Sequence, residues 1–339
     1  MQRILVTGSA GFIGFHLARL LLDQGHEVLG IDAITDYYDT ELKRRRHAIL
    51  QQDAKFTASE VDICDYAALL ATATAFRPDV IVHLAAQAGV RHSIEAPRTY
   101  IETNLIGTFN VMECARELTV DHLLMASTSS VYGANREMPF AETQKADTQM
   151  SLYAATKKAG ESMGHSYAHL WELPTTMFRF FTVYGPWGRP DMALFKFTKA
   201  GLEGKPIDVF NHGKMERDFT YVGDIVSAIS LLIQAPPPKV SARTKWQPVE
   251  GDSLSDVAPF RVINIGNSEK VRLLDYIEAV ENAIGRTITR NYMDIQPGDV
   301  PSSWPDCQLL KNPVSYQPST SVQQGVDRFV EWYRNYYGV

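Results

Sequence analysis

The stretch ILVTGSAGFIG, residues 4 to 14, constrains the fold more than any other part of the chain. An apolar, β-branched run breaks at Gly8 and gives way to the helical pattern FIGFHLARLLLDQG. Gly8, Gly11 and Gly14 place residues without side chains where a buried strand turns sharply into a helix. Such a turn aims free backbone N–H groups and the positive end of a helix at one point, which suits a diphosphate. The spacing departs by one residue from the common dinucleotide fingerprint, so the flanking strand and helix carry the argument as much as the glycines do.

The same alternation recurs. EVLGID, VIVHLA, HLLMAST and TTMFRFFTV are each followed by a helix-like segment, with helices expected to begin near residues 12, 41, 65, 98 and 151. That rhythm predicts an α/β fold with a doubly wound, Rossmann-like parallel sheet over residues 1–183. Continuously apolar strands such as VIVHLA are what a sheet covered on both faces requires. Beyond residue 184 Pro and Gly increase and strands shorten, and helices near 191–203, 222–234, 271–284 and 320–336 are unevenly spaced. These features predict a smaller, mixed α/β C-terminal substrate domain over 184–339, with elements of the two free to interleave. Residues 234–259 read as a long surface loop inserted before the strand RVINIG.

Composition narrows the function. A chain of 339 residues that is 45% hydrophobic and 21% charged has the material for a sizeable core. Its net charge of −6 argues against nucleic acid as a partner. No run approaches the ~18 apolar residues of a membrane span. Cys64, Cys114 and Cys307 are far apart and odd in number, which suggests neither a disulfide framework nor a zinc site, and fits the cytoplasm.

Asp32 ends the second strand-like run, 18 residues after Gly14. A carboxylate there accepts both hydroxyls of an adenosine ribose and repels a 2′-phosphate, so the expected cofactor is NAD and not NADP. The cluster Arg44 to Arg46 points the other way, but it lies in the amphipathic stretch ELKRRRHAILQQ and is read as a solvated helix face.

Tyr153 and Lys157 are four residues apart in SLYAATKKAG, so they leave one helix face together. They follow a strand, HLLMAST, whose carboxyl end carries Ser127, Thr128, Ser129 and Ser130 and faces the expected cofactor crevice. Hydride leaves a secondary alcohol only as its hydroxyl proton is removed. A phenol is a poor base at neutral pH, and lowering its pKa by ~3 units takes about 4 kcal/mol, which a neighbouring ammonium helps to supply. Thr128 is placed to donate to the reacting oxygen.

The glycine turn, Asp32, the hydroxyl cluster and Tyr-x-x-x-Lys together resemble the extended short-chain dehydrogenase/reductase family. Along its whole length the chain is similar to sugar-nucleotide epimerases, most of all the UDP-glucuronate 4-epimerases, through DYYD, HLAAQAGVRHSIEAP, STSSVYG, RFFTVYGPWGRPDMA, IDVFNHGKMERDFTYV, NIGN and QPGDVPSSW. The resemblance implies NAD held by Gly8, Gly11, Phe12, Ile13, Gly14 and Asp32, with Asp62 and Ile63 at adenine and Leu84, Ala85 and Ala86 on the adenosine side. It also implies Asn104 and Phe181 at the nicotinamide half, and Tyr153 and Lys157 at its ribose and the reaction centre. For a UDP-sugar it implies Phe210 at uracil, Arg217 at a phosphate and Asp299 close by. Thr128, Ser129, Ser130 and Thr182 would serve the sugar carboxylate, with Arg189 nearby.

Related dehydratases and decarboxylases carry carboxyl residues where this chain has Ser129 and Ser130, which counts against elimination. Gln296 stands where hexose epimerases have an arginine, and Ser303 where some have a tyrosine, so UDP-glucose and UDP-N-acetylglucosamine remain alternative substrates. A non-catalytic NAD or sugar-nucleotide sensor is a further alternative, disfavoured by the intact Tyr153, Lys157 and Thr128. His165 and His169 share a helix face but lack the Glu of a zinc protease, so no metal is expected. A homodimer is expected, built on helices near 98–118 and 151–172 that pair in this family, with Ala154, Ala155, Ala159 and Gly160 permitting close approach.

Overall fold

A computed structural model describes residues 1–243, 251–296 and 299–339. Seven strands form one parallel sheet: β1 (Arg3–Thr7), β2 (Glu27–Asp32), β3 (Phe56–Glu60), β4 (Val80–His83), β5 (His122–Thr128), β6 (Thr175–Phe180) and β7 (Phe260–Ile265), in the order β7-β6-β5-β4-β1-β2-β3. Strand β1 lies inside the sheet between β4 and β2, with Val6 opposite Gly30 of β2 and Val82 of β4. The chain winds outward from β1 in both directions, and the crevice beyond the carboxyl ends of β1 and β4 is the place such sheets bind ligands.

Alternation explains why these strands are apolar throughout. Ile4 and Val6 of β1 point into one core with Phe15 and Leu17 of α1 (Phe12–Asp23), while Leu5 points into the opposite core with Met112 and Leu123. Each large side chain buried this way contributes roughly 1.5–3 kcal/mol. The first face is covered by α1 and by Val222–Ile233, and the second by helices that include α3 (Tyr66–Phe76), α4 (Thr108–Glu117) and α5 (Leu152–Trp171). The helix α2 (Thr40–Leu50) stands beside the glycine turn.

The C-terminal half supplies a third core, where Phe195, Tyr276, Phe329 and Tyr333 meet and the Phe219 and Tyr276 rings stack at 3.8 Å. The halves do interleave: β7 and Val222–Ile233 come from beyond residue 184 yet complete the first sheet and its cover. Short strands then carry site residues over the crevice. Thr182–Tyr184 pairs with Phe219–Tyr221, and Glu216–Arg217 pairs with both Val271–Arg272 and Ser302–Ser303.

Two sequence expectations need correction. The strand β3 was not foreseen, because FTASE is short and polar, as an edge strand can be. The arginine cluster of α2 is solvated only in part: Arg44 and Arg45 pair at the surface with Glu60 and Glu41 as expected, whereas Arg46, with Lys43, is buried. Of the inserted loop, residues 244–250 lie outside the described residues, as do 297 and 298 of QPGDVPSSW.

Candidate active site

A cleft of about 1490 Å³ runs along the carboxyl edge of the sheet and over the short strands of the C-terminal half. Its floor is the glycine turn. Only Gly8 has a positive φ, +75°, and its carbonyl explains the other two glycines: a Cβ would sit 2.9 Å from it at Gly11 and 2.1 Å at Gly14. The turn and α1 therefore touch through backbone alone, and no side chain caps α1 at Gly11 or brings acid into its first turn. Phe12 and Ile13 line the cleft at this helix start. A cradle that a single Cβ would fill, at the positive end of a helix, fits a dinucleotide diphosphate.

Asp32 is oriented by two backbone donors, Ala10 N at 3.0 Å and Ile34 N at 2.9 Å, and its carboxylate faces the cleft. Asp62 and Ile63 form the next wall, with Asp62 fixed by Cys64 N at 2.8 Å. Leu84, Ala85 and Ala86 line the opposite side. Thr7 Oγ1 accepts the amides of Leu84 and Ala85, both at 3.2 Å, and contacts His83 Nδ1 at 2.7 Å. Burial lowers the His83 pKa to about 3, so its imidazole is a neutral spacer.

Tyr153, Lys157 and Thr128 come together as the sequence suggested. The helix α5 begins at a Ser151 cap that accepts Ala154 N at 3.1 Å, which sets the rotation of its first turns. Lys157 Nζ donates to Ala126 O at 2.9 Å, and burial lowers its pKa to about 8. Burial raises the Tyr153 phenol, while a bond with Thr128 and the charge of Arg189 pull it back down. Thr128 Oγ1 also accepts Ser130 N at 3.2 Å and faces Ser130 Oγ at 3.3 Å. Ser129, Ser130, Thr182 and Phe181 line the same wall.

Ser127 is recruited elsewhere. Its hydroxyl donates to Glu161 Oε1 at 2.7 Å, and Arg179 grips both oxygens of that carboxylate at 2.8 Å. This buried pair locks α5 to β5 and β6 one turn beyond Lys157, fixing the register that presents Tyr153 to Thr128.

Asn104 is not on the cleft wall. It is fully buried in a π-helical turn, Ile101–Gly107, where its amide exchanges bonds with the Gln87 backbone at 2.8 and 3.0 Å and reaches Thr156 at 3.1 Å. It holds the loop after β4 against α5. A π turn is a frequent device at functional sites, but it has no clear sequence signature.

At the far end the cleft is lined by Arg189, Phe210, Arg217, Asp299 and Ser303. Arg217 donates to the carbonyls of Glu216, Val300 and Pro301 at 2.9, 2.5 and 3.0 Å, and the Asp299 carboxylate is the acid that acts on its charge. Arg189 is clamped by Asp191 at 3.0 and 2.5 Å and lies over the Tyr37 ring. Arg91 lies over Phe210 and reaches Asp299 at 3.6 Å. Tyr37, Arg91 and Asp191 went unassigned in the sequence, although DYYD, HLAAQAGVRHSIEAP and RFFTVYGPWGRPDMA had marked all three of their segments. Gln296 is absent from this lining, and its Oε1 is buried without a partner among the described residues. His165 and His169 bond Ser255 at 2.9 Å and Val257 O at 2.7 Å, tying α5 to the segment before β7.

A doubly wound sheet with a dinucleotide cradle and a Tyr–Lys pair, whose cleft runs on to Phe210 and Arg217, defines a class of enzyme that oxidises a ligand held against a bound cofactor. The chain belongs to the NAD dependent epimerase/dehydratase family, whose pattern matches residues 4–244. Among its relatives, the "Probable UDP-glucuronate 4-epimerase" of Rhizobium meliloti (strain 1021) is 52% identical over 99% of this chain and 98% of that protein. Protein CapI of Staphylococcus aureus is 51% identical over 99% of each. The UDP-glucuronic acid 4-epimerase of Bacillus cereus, solved in complex with UDP-glucuronic acid and NAD, superposes with a TM-score of 0.85 at 32% identity, covering 99% of this chain and all of that one.

Proposed function

We propose that this protein is an NAD-dependent 4-epimerase that converts UDP-glucuronate to UDP-galacturonate through a transient 4-keto sugar. The observation that carries the reading is the wall next to Tyr153, where Thr128, Ser129, Ser130 and Thr182 present hydroxyls and no acid–base carboxyl. The bound NAD supplies a hydride acceptor that later returns the hydride. The chain does the rest. Tyr153 takes the C4 hydroxyl proton and gives it back, and the Lys157 ammonium lowers the phenol toward neutrality and holds the nicotinamide ribose. Thr128 donates to the oxygen that alternates between alcohol and carbonyl.

A 4-keto uronate is a β-keto acid, and it loses carbon dioxide easily if its carboxylate aligns the breaking bond with the carbonyl π system. Ser129, Ser130 and Thr182 hold the carboxylate near the ring plane by neutral hydrogen bonds, with Arg189 at the side. Such bonds reform readily after the ring turns over, as it must for hydride to return to the other face. Phe210 packs on uracil, and Arg217 meets the diphosphate with a planar cation. Asp299 sits beside this grip. Asp62, Ile63, Leu84, Ala85 and Ala86 enclose the adenosine end, and Phe181 the nicotinamide end.

We also infer a homodimer. Ile101, Ile106, Phe109, Leu170 and Trp171 are large, exposed apolar residues on the two helical segments expected to pair. Ala154 and Gly160 are buried within the chain itself, so of the small residues Ala155 is the exposed one. No described helix is long and apolar enough to cross a membrane, and Cys64, Cys114 and Cys307 are free thiols, which suits the cytoplasm.

The test is incubation of the purified protein, without added cofactor, with UDP-glucuronate, UDP-glucose and UDP-N-acetylglucosamine, the products being identified by NMR. UDP-galacturonate is the expected main product. Faster turnover of a neutral or N-acetylated sugar transfers the assignment to that substrate, and turnover of none supports a sensor.

A further inference from the structure

One buried cation takes no part in the chemistry above. Arg46 is completely inaccessible, although it ends a run of three arginines on α2. Its neighbours in the run have carboxylate partners, Glu60 and Glu41, at the surface. Arg46 instead donates to Ala10 O at 2.8 Å, the Tyr38 hydroxyl at 2.8 Å and Trp187 O at 2.5 Å. All three are neutral, and its Nε is buried with no hydrogen-bond partner among the described residues. Burying a guanidinium without a counter-charge costs more than such bonds return.

The location says where the counter-charge belongs. Ala10 is in the glycine turn, immediately before Gly11, which caps α1. The turn is held to α2 twice, by Arg46 at Ala10 and by His47, whose Nε2 contacts Ser9 Oγ at 2.8 Å. Asp32 is the nearby acid, but it is engaged by Ala10 N and Ile34 N, and Lys43, also buried, faces it from the same side of α2. Asp32 and Asp36 both act on Lys43, whereas among the described residues no carboxylate bonds Arg46, whose three partners are neutral.

We propose that Arg46 is a positioning residue of the dinucleotide site: a cation built in behind the glycine turn, fixing it through Ala10, whose charge is balanced by the diphosphate of bound NAD. The proposal rests on the NAD reading of the cleft. It assigns to this arginine neither of the roles its sequence context suggested, a solvated surface or a hold on a 2′-phosphate. A unit charge on the order of 10 Å from a diphosphate inside a protein changes affinity by about tenfold or more.

The experiment compares wild type, Arg46→Gln and Arg46→Lys, each stripped of nucleotide, by calorimetric titration with NAD and by melting with and without saturating NAD. Arg46→Gln keeps an N–H donor while removing the charge and at least one of the three hydrogen bonds, and melting of the stripped protein reads the cost of that lost bond. The expected result is a Kd for NAD raised about tenfold or more in Arg46→Gln, near wild type in Arg46→Lys, and a smaller NAD-induced rise in Tm for Arg46→Gln. The stripped Arg46→Gln protein should melt no more than about 3 °C below wild type, since a costly buried charge has gone. An Arg46→Gln protein that will not fold, or that melts lower while keeping the wild-type Kd and NAD-induced shift, overturns the proposal and makes Arg46 a strut. Failure of the wild type to bind NAD would sink the cofactor reading itself, a separate outcome.

Discussion

Replacing Lys157 by Met should make the cofactor-free protein more stable at neutral pH while removing its activity. The magnitude follows from burial. Desolvation lowers the ammonium pKa from 10.5 to about 8, a displacement worth roughly 3 kcal/mol at 1.36 kcal/mol per unit. Below pH 8 the lysine is charged in both states and the folded chain bears that whole cost. Methionine fills the same space without it, but leaves Ala126 O without its donor, a loss of about 1 kcal/mol. The net gain is therefore about 2 kcal/mol at pH 7.

Between pH 8 and 10.5 the unfolded chain holds the Lys157 proton that the folded chain has lost, so wild-type stability rises with pH over that window. Urea denaturation of both stripped proteins from pH 7 to 10.5 gives the difference curve, in which other titrating groups cancel. The advantage of Lys157→Met should shrink above pH 8 and reverse near pH 10.5, where only the missing bond to Ala126 remains. A variant less stable than wild type at pH 7, or a difference independent of pH, refutes the argument that burial sets this lysine's state.

Three further outcomes are expected. Tyr153→Phe should lower turnover by at least about three orders of magnitude and leave UDP-sugar affinity within a factor of about three, measured by single-turnover kinetics and calorimetry; a tenth of wild-type rate would show that Tyr153 is not the base. Gly14→Ala puts a Cβ 2.1 Å from Gly8 O, so the helix start must shift, at a cost of about 1–3 kcal/mol, and the NAD content of the purified protein should fall severalfold by absorbance and mass analysis. Glu142→Gln addresses a carboxyl that burial pushes up from 4.5 to about 7, so wild-type stability should fall as pH rises from 4.5 through 7; the variant should lose that slope and be more stable at pH 8 by about 2 kcal/mol in denaturant titrations.

The fold was legible wherever periodicity and turn chemistry agree. RILVTG, VIVHLA and HLLMAST are apolar on both sides, and only a sheet covered on both faces accommodates them. The helix start at Phe12 followed from the glycine turn, and the one expected near 151 falls at Leu152, where Ser151 caps it. The strand β3 escaped because FTASE is short and edge-like, and its place is set by pairing with β2 rather than by its own composition. The site was legible where spacing within one element sets geometry, as with Tyr153 and Lys157. It was less so where contacts bridge distant segments: Asn104 reads from sequence as a ligand contact, yet its amide is consumed by the Gln87 backbone.

Arg46 shows most plainly what spacing leaves undetermined. In ELKRRRHAIL the three arginines are chemically equal, and which of them turns inward depends on the rotation of α2 about its axis. That rotation is fixed by Leu42 and Leu50, which are buried on the same face as Lys43 and Arg46. Leu42, Arg46 and Leu50 recur every four residues, so the leucines mark the inner face. An arginine in register with two core leucines is carried into the interior by packing, and its charge must then be met there. Arg44 and Arg45, out of that register, meet Glu60 and Glu41 in solvent, where such pairs contribute about 0–1 kcal/mol and demand nothing of the fold. The informative sequence signal was thus the register of the cluster with Leu42 and Leu50, not its charge, and it places Arg46 behind the turn that begins the chain's first helix.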